Sequence, residues 1–177
     1  VCLQDTKESL HELQQTFPNR QQVKIIYLHY SKAKGVCCAR RLLQDAVTDE
    51  DFILQMDSHM RSIPSWDEAL IASYRATGVN KAVLSSYPPH YALDDTTKSY
   101  LNTSVYMNVT RLNLPIRKKT TLHGCAGDYL NTTGKPIRNI HMAGGFYFAP
   151  TRWIQDAPYP TDLYFEGEED SMTLLSY

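Results

Sequence analysis

Residues 52–66 are FILQMDSHMRSIPSW, and both the fold class and a candidate site follow from this stretch. Its first five side chains are apolar or long and end at Met56, which predicts a short buried strand. Asp57 and His59 come directly after that strand. Because open α/β sheets bind ligands at the carboxyl ends of their parallel strands, the stretch predicts a site where this strand ends.

The side chains after the strand indicate what such a site binds. Asp57 offers hard carboxylate oxygens and His59 offers a borderline nitrogen. This combination suits Mn²⁺ or Mg²⁺ beside a diphosphate better than it suits Zn²⁺. Asp-x-His triplets are also common by chance, so the alternative is a turn that holds no metal.

The composition is that of an ordinary globular domain. The chain has 177 residues, of which 42% are hydrophobic and 21% are charged, enough for one domain with a core. Its net charge of −1 predicts no nucleic-acid partner, because surfaces that neutralise phosphates leave a basic excess. We expect no membrane segment, because no apolar run is long enough. The cysteines lack CxxC spacing, so we expect reduced thiols in a cytoplasmic protein without structural zinc.

Strand and helix patterns alternate along the first half of the chain. This alternation favours a mostly parallel sheet with covering helices. The predicted elements are a helix capped by Asp5 or Thr6 that ends near Phe17, a strand over residues 23–30, a helix over residues 36–47, the strand ending at Met56, a helix over residues 66–77 capped by Ser65 and ended by Gly78, and a strand over residues 81–86.

The second half of the chain has a weaker pattern. Residues 94–136 contain one candidate strand, over residues 105–112, and are predicted to be an acceptor-binding insertion or a long surface excursion. Gly144 and Gly145 then precede an aromatic strand, and paired glycines allow either a bulge or close approach to a ligand. The acids of residues 168–170 begin a last helix, where they serve a site or only complement the helix dipole.

Gly35 stands before the predicted helix of residues 36–47, and Arg40 lies near the start of that helix. A glycine before a helix N-terminus with cations nearby can receive a phosphate group. A plain turn with solvated charges is the commoner alternative. Both interpretations stay open on the sequence.

The order of these features is more specific than any one of them. It is carried by Gly35, Ala39-Arg40, Leu54-Gln55-Met56-Asp57-Ser58-His59-Met60-Arg61, Trp66-Asp67, Leu84-Ser85, Tyr87-Pro88-Pro89, Tyr91, Ala143-Gly144-Gly145-Phe146 and Phe165-Glu166-Gly167-Glu168-Glu169. With these residues the chain resembles the family of retaining GT-A glycosyltransferases that includes the N-acetylglucosaminyltransferase acting on hydroxyproline of Skp1. The resemblance covers residues 23–95 and 140–171.

The resemblance implies a metal-dependent enzyme that transfers N-acetylglucosamine from UDP-GlcNAc, with retention, to a hydroxyl group of a protein or polysaccharide. Asp57 and His59 would hold Mn²⁺ (or Mg²⁺) against the diphosphate, and the metal would neutralise charge on the departing UDP. No protein nucleophile or catalytic base is apparent. The implied catalytic residues are Asp57, Glu168 and Glu169, and the implied donor-binding residues are Gly35, Arg40, Ser58, Gly144 and Gly145.

The Asp-Ser-His triplet is also similar to that of the mucin-type N-acetylgalactosaminyltransferases. In those enzymes a Gly-Gly strand lies under the donor sugar, and a glutamate in a glycine turn binds it. By this analogy Gly145 and Glu168 would contact the sugar. Glu169 is their neighbour and receives no separate role.

The implied fold is α/β of the GT-A (Rossmann-like) type, a mixed, mostly parallel sheet flanked by helices. We expect a single domain over residues 1–177 that is incomplete at one or both ends. The family's first strand has no counterpart before Val1, and the chain stops before the His-containing segment that supplies a further ligand. His90, His123 and His141 are its possible substitutes, or structural residues.

Two other functions stay open on the sequence. The first is a non-catalytic domain that binds a nucleotide sugar or a glycan without turnover. The second is a metal-dependent hydrolase that uses Glu168, Glu169 and Asp170. The hydrolase fits the acids but lacks a second His motif for the metal.

Overall fold

The computed structural model describes residues 1–17, 21–86, 91–93, 100–102, 107–111, 126–130, 136, 138 and 141–176. Within these ranges the chain is a mixed α/β protein. The strands are β1 (Cys2–Asp5), β2 (Ile26–His29), β3 (Phe52–Met56), β4 (Leu84–Ser85), β5 (Tyr91–Leu93), β6 (Tyr100–Asn102), β7 (Met107–Arg111), β8 (Ala126–Leu130) and β9 (Phe146–Pro150). The helices are α1 (Lys7–Thr16), α2 (Val36–Gln44), α3 (Trp66–Ala76), α4 (Arg152–Asp156) and α5 (Glu168–Leu175).

The helix boundaries follow the local sequence signals, with one exception. Thr6 caps α1 as predicted, because its Oγ1 accepts a hydrogen bond of 3.3 Å from the Ser9 amide. Gly78 follows α3 with a φ of +65°, which suits glycine at a helix end. The prediction that the Ser65 side chain caps α3 was wrong, because Ser65 adopts a left-handed φ of 56° and makes no capping hydrogen bond.

Among the described residues the strands pair in four small sheets. β1 and β2 are parallel, β5 pairs antiparallel with β6, and β7 pairs antiparallel with β8. β7 confirms the candidate strand predicted over residues 105–112. The fourth sheet has the order β3-β9-β4, and β9 is antiparallel to both of its neighbours.

The prediction of a mostly parallel sheet was therefore wrong for the described part of the chain. The β3-α3-β4 alternation does give β3 and β4 the same direction, but β9 lies between them. A strand-helix-strand pattern fixes the direction of its two strands and leaves open whether they are neighbours. The strand that separates them comes from residues 146–150, far along the chain.

The central position of β9 also decides which strand is buried. β9 is buried over four of its five residues, whereas the residues of β3 are half-buried and Met56 is 45% exposed. The predicted burial of β3 was wrong because β3 lies at the edge of this sheet. The sequence predicted β3 as the buried strand, whereas the buried strand of this sheet is β9.

Side chains of β9 alternate between two packed layers, as expected for a strand. On one face Tyr147 and Ala149 join the main core, where the ring of Tyr147 meets that of Trp153 edge to face at 5.1 Å. On the other face Phe148 stacks on Phe52 at 5.0 Å, and both rings meet Tyr74 of α3. The buried residues of the main core are Cys37, Met142, Tyr147, Ala149, Trp153, Ala157, Tyr159 and Met172.

The two adjacent cysteines of α2 differ in burial. Cys37 is fully buried, whereas Cys38 is only half-buried. Cys2, Cys37 and Cys38 are free thiols. Cys125 lies outside the described residues, and so do the Tyr87-Pro88-Pro89 segment, His90 and His123.

Candidate active site

The register between β3 and β9 brings the end of one strand to the start of the other. Met56 is paired with Phe146, so Asp57 and Gly145 face each other just beyond the ladder. The Asp57 amide donates a hydrogen bond of 2.9 Å to the Gly145 carbonyl. Two features that the sequence separates by more than eighty residues therefore form one site.

Charged side chains pack so closely against both glycines that a Cβ atom at either position would force one of them to move. A Cβ atom on Gly145 would lie 2.7 Å from Oδ2 of Asp57. A Cβ atom on Gly144 would lie 2.7 Å from Oε1 of Glu168 and 3.0 Å from Nη1 of Arg40. In the structure the protein's own charged side chains lie against the paired glycines, and the approach of a ligand to them stays a prediction.

Arg40 links these carboxylates. Its side chain extends from α2 and is only 10% exposed. Nη2 donates to Oδ1 of Asp57 at 3.2 Å, and Nη1 forms an ion pair with Oε1 of Glu168. The guanidinium carbon lies 5.6 Å from the centroid of the Tyr159 ring, within the range of a cation-π contact.

The partners of Arg40 keep it charged despite its burial. Burial alone lowers the pKa of Arg40, but Tyr159 and the carboxylates of Glu168 and Asp57 outweigh that effect and raise the pKa above its ordinary value. Arg40 is therefore a fixed cation between two carboxylates. A buried guanidinium in such a position compensates charge that would otherwise be costly to desolvate.

The three acids that begin α5 have three different partners. Glu168 is buried and bound to Arg40, and Oε1 of Glu169 accepts a hydrogen bond of 2.6 Å from the Gly144 amide. Oδ1 of Asp170 lies 3.3 Å from Nε2 of His141, whose side chain is buried. Specific contacts, and not only the helix dipole, therefore account for these acids.

Glu168 has a second neighbour in the core. The Cys37 thiol donates to Oε2 of Glu168 at 3.5 Å. Burial, followed by the adjacent Glu168 carboxylate, raises the pKa of Cys37 to about 11. Cys37 is thus a protonated donor at neutral pH, and it lacks the thiolate character of a nucleophile.

Gly35 serves the join between α2 and the segment before α5. Its φ of +90° favours glycine, and a Cβ atom there would overlap the Tyr164 carbonyl oxygen. That oxygen accepts a hydrogen bond of 3.0 Å from the Val36 amide. The first amide of α2 thus has a protein partner, which fits the plain-turn alternative, and a phosphate role for Gly35 stays a prediction.

Ser58 and His59 form an exposed turn directly after Asp57. Within the described ranges, no group of three or more His, Cys, Asp and Glu side chains could hold a metal ion. Mn²⁺ and Mg²⁺ sites commonly use one or two protein ligands and complete their shell with water and substrate phosphates. Asp57 and His59 fit that kind of site, and their metal role stays a prediction.

A comparison with protein families gives one match that spans nearly the whole chain. The family model for glycosyltransferases described as Glycosyltransferase (GlcNAc) matches residues 1–176. The chain belongs to this GlcNAc glycosyltransferase family. Searches of curated proteins and of solved structures returned no match.

Membership of the GlcNAc glycosyltransferase family identifies the protein as a glycosyltransferase. Its substrates are accordingly a nucleotide sugar and an acceptor. In the part of the chain that the structure describes, no helix is both long enough and apolar enough to cross a membrane.

The candidate site brings together most of the residues singled out from the sequence. Arg40, Asp57, Gly144, Gly145, Glu168 and Glu169 lie in one connected cluster. Gly35 lies at its edge through the Tyr164 contact, and Ser58 and His59 lie on the turn that leaves it. The cluster is acidic overall, with three carboxylates to one guanidinium.

Several further residues hold this cluster in place, and none of them received a role from the sequence. Gln55 donates to the Gly144 carbonyl at 2.6 Å and lies 2.9 Å from the Tyr159 hydroxyl. Ser85 Oγ bonds both the amide and the carbonyl of Ala143. A glutamine inside the apolar strand pattern could have indicated from the sequence that Gln55 has a special contact. Nothing in the sequence indicated Tyr159, because its Pro-rich segment has no helical or strand periodicity.

Proposed function

We propose that this glycosyltransferase transfers N-acetylglucosamine from UDP-GlcNAc to a hydroxyl group of a protein or polysaccharide, with retention of the anomeric configuration. We further propose that it has a GT-A-type fold and is related to the enzymes that modify hydroxyproline of Skp1. The observation that carries the proposal is the cluster in which Arg40 joins Asp57 and Glu168 beside Gly144 and Gly145. The match to the GlcNAc glycosyltransferase family supports it.

In this proposal Asp57 and His59 hold Mn²⁺ or Mg²⁺ at the exposed end of β3. When bound, the metal supplies positive charge that stabilises the departing diphosphate. The Asp57 side chain is 38% exposed, so one of its faces is open to such a ligand while Oδ1 contacts Arg40. Arg40 orients the Asp57 carboxylate from the buried side.

In this proposal Glu168 and Glu169 of α5 belong to the part of the site that binds the sugar. Glu168 is held rigidly by Arg40 and Cys37, and a fixed carboxylate of this kind can accept hydrogen bonds from sugar hydroxyls. The Glu169 carboxylate accepts a hydrogen bond from the Gly144 amide and so holds the backbone at Gly144. The free thiols Cys2, Cys37 and Cys38 support the proposal of a cytoplasmic location, where thiols stay reduced.

Calorimetry with UDP-GlcNAc tests the donor and the metal together. We expect the protein to bind UDP-GlcNAc in Mn²⁺, to lose binding in chelator, and to lose it in Asp57→Ala. Asp45→Ala is the matched control, because Asp45 is an exposed aspartate whose carboxylate forms an ion pair of 2.8 Å with Arg41. Equal binding with and without metal would contradict the metal role of Asp57 and His59.

A turnover assay separates the enzyme from the non-catalytic alternative. We expect UDP release from UDP-GlcNAc in Mn²⁺, faster with hydroxyproline peptides or glycans that contain a suitable hydroxyl. NMR of the product would give its anomeric configuration. Tight binding without UDP release with any acceptor would instead support a nucleotide-sugar-binding domain.

A further inference from the structure

The backbone that carries the paired glycines is held by side chains from three separate elements. Ser85 of β4 binds Ala143 through both of its backbone groups, at 2.8 and 3.2 Å. Glu169 of α5 accepts from the Gly144 amide at 2.6 Å. Gln55 of β3 donates to the Gly144 carbonyl at 2.6 Å. A loop that only connected two elements would not need this number of side-chain contacts.

Gln55 is itself fixed from behind. Its Nε2 lies 2.9 Å from the Tyr159 hydroxyl, and Tyr159 is 1% exposed in the main core. The Tyr159 ring also contacts the Arg40 guanidinium. Gln55 therefore joins the buried core to the Gly144 carbonyl, and its amide has little freedom to move.

The orientation of the Gly144 carbonyl sets the direction of the next amide. The peptide between Gly144 and Gly145 is trans, so the N–H of Gly145 points opposite to the Gly144 carbonyl and away from Gln55. Among the residues that the structure describes, none accepts a hydrogen bond from this N–H. The buried side of the peptide is thus occupied by protein, and its other side presents a donor.

The charge around this amide indicates what it binds. Asp57, Glu168 and Glu169 surround the glycines, and Arg40 is the cation of the cluster. Excess negative charge disfavours a phosphate and favours a neutral group whose hydroxyls donate to carboxylates and whose oxygens accept from an amide. A sugar with hydroxyl and acetamido groups has this chemistry.

We infer that Gln55, supported by Tyr159, is a positioning residue that turns the Gly145 amide toward the sugar part of the nucleotide sugar. This inference rests on the proposed function, because it assigns the sugar to the site proposed above. It adds to that function a residue that sets affinity for the sugar and not for the nucleotide.

Binding of UDP-GlcNAc and of UDP to Gln55→Leu tests the inference by calorimetry. Leucine has a similar size and cannot donate to the Gly144 carbonyl. We expect about tenfold weaker binding of UDP-GlcNAc, as for the loss of one well-placed hydrogen bond. Binding of UDP should stay within about twofold of wild type. Gln15→Leu is the control, since Gln15 is an exposed glutamine of α1 that contacts His11.

Equal loss of affinity for both ligands in Gln55→Leu would overturn the inference and leave the proposed function standing. A wild-type protein that binds neither ligand would overturn both. These outcomes are distinct, so failure of the positioning role cannot be confused with failure of the donor site.

NMR on the wild-type protein provides a second test that does not depend on the variant's folding. The dipeptide Gly-Gly occurs once in the chain, at residues 144–145. Glycine labelled with both ¹³C-carbonyl and ¹⁵N therefore gives one amide signal that is coupled to a labelled carbonyl, and it belongs to Gly145. In Mg²⁺, which unlike Mn²⁺ is not paramagnetic, we expect that signal to shift with UDP-GlcNAc and not with UDP. Identical shifts with the two ligands would overturn the inference.

Discussion

The Arg40 side chain links two carboxylates that come from different elements of the candidate site. It is a buried cation with one carboxylate from the end of β3 and another from the start of α5. Desolvating three charged groups is costly, and the cost is offset only while all three stay together. The same arrangement holds Asp57 and Glu168 at fixed positions in the site. The stability of this charged cluster thus depends on one guanidinium.

Replacing Arg40 with methionine should destabilise the fold by about 3 kcal/mol, because it leaves two carboxylates partly buried without their cation. Urea denaturation followed by circular dichroism measures this change. The matched control is the adjacent Arg41→Met, since Arg41 forms an exposed pair with Asp45 and such pairs contribute about 0.5 kcal/mol. Similar losses in the two variants would contradict the special role assigned to Arg40.

The contacts that join neighbouring helices and strands here are made by residues of the candidate site. α2 meets α5 through the Cys37-Glu168 and Arg40-Glu168 contacts, and β3 meets β9 through its ladder and the Asp57-Gly145 hydrogen bond. α5 also contributes Thr173, whose Oγ1 accepts a hydrogen bond of 3.1 Å from the Met142 amide. The position of α5 against the glycine backbone therefore depends on several contacts at once.

The link between α2 and α5 predicts a loss of stability at alkaline pH. The pKa of Cys37 is raised in the folded protein to about 11, so the unfolded chain loses this proton first. Stability from Cys37 is then fully present below the unfolded pKa and falls as pH rises toward the folded value. Measured by urea denaturation between about pH 8 and 10, wild type should lose stability with pH.

Cys37→Ala should show a flatter dependence over the same pH range, because it has no thiol to titrate. Cys38→Ala is the control, since it changes the neighbouring half-buried cysteine and leaves Cys37 in place. The range stops near pH 10, where an ordinary tyrosine begins to lose its proton. Burial raises the pKa of Tyr159 in the folded protein to about 12, so Tyr159 would add its own pH dependence above that range. A wild-type slope that persists in Cys37→Ala would assign the pH effect to other groups.

The molecule as a whole should respond to its ligand as one folding unit. A ligand that binds only the folded state stabilises it according to its concentration relative to Kd, by about 2.7 kcal/mol at a hundredfold excess. We expect UDP-GlcNAc with Mn²⁺ to raise the melting temperature, and chelator or Asp57→Ala to abolish the increase. Differential scanning calorimetry measures it. A rise of equal size in Asp57→Ala would contradict the placement of the donor at this site.

Local sequence signals determined the order of the elements and most of the chemistry-bearing residues. Thr6 capped α1, Gly78 ended α3, and the grouping of Asp57, Gly144-Gly145 and Glu168 was predicted in outline from a family resemblance. Periodicity and capping depend on residues within a few positions of one another, so they can be recognised in the sequence alone. The family membership follows from the same linear pattern.

Only the tertiary structure decided which elements are neighbours and which charges meet. The insertion of β9 between β3 and β4 changed a predicted parallel sheet into an antiparallel one and moved the buried strand to residues 146–150. The tertiary structure also gave Glu168 and Glu169 different partners, and it placed Gln55 against the Gly144 carbonyl. Such pairings join residues far apart in the chain, and their free energies depend on burial and geometry that no local pattern contains.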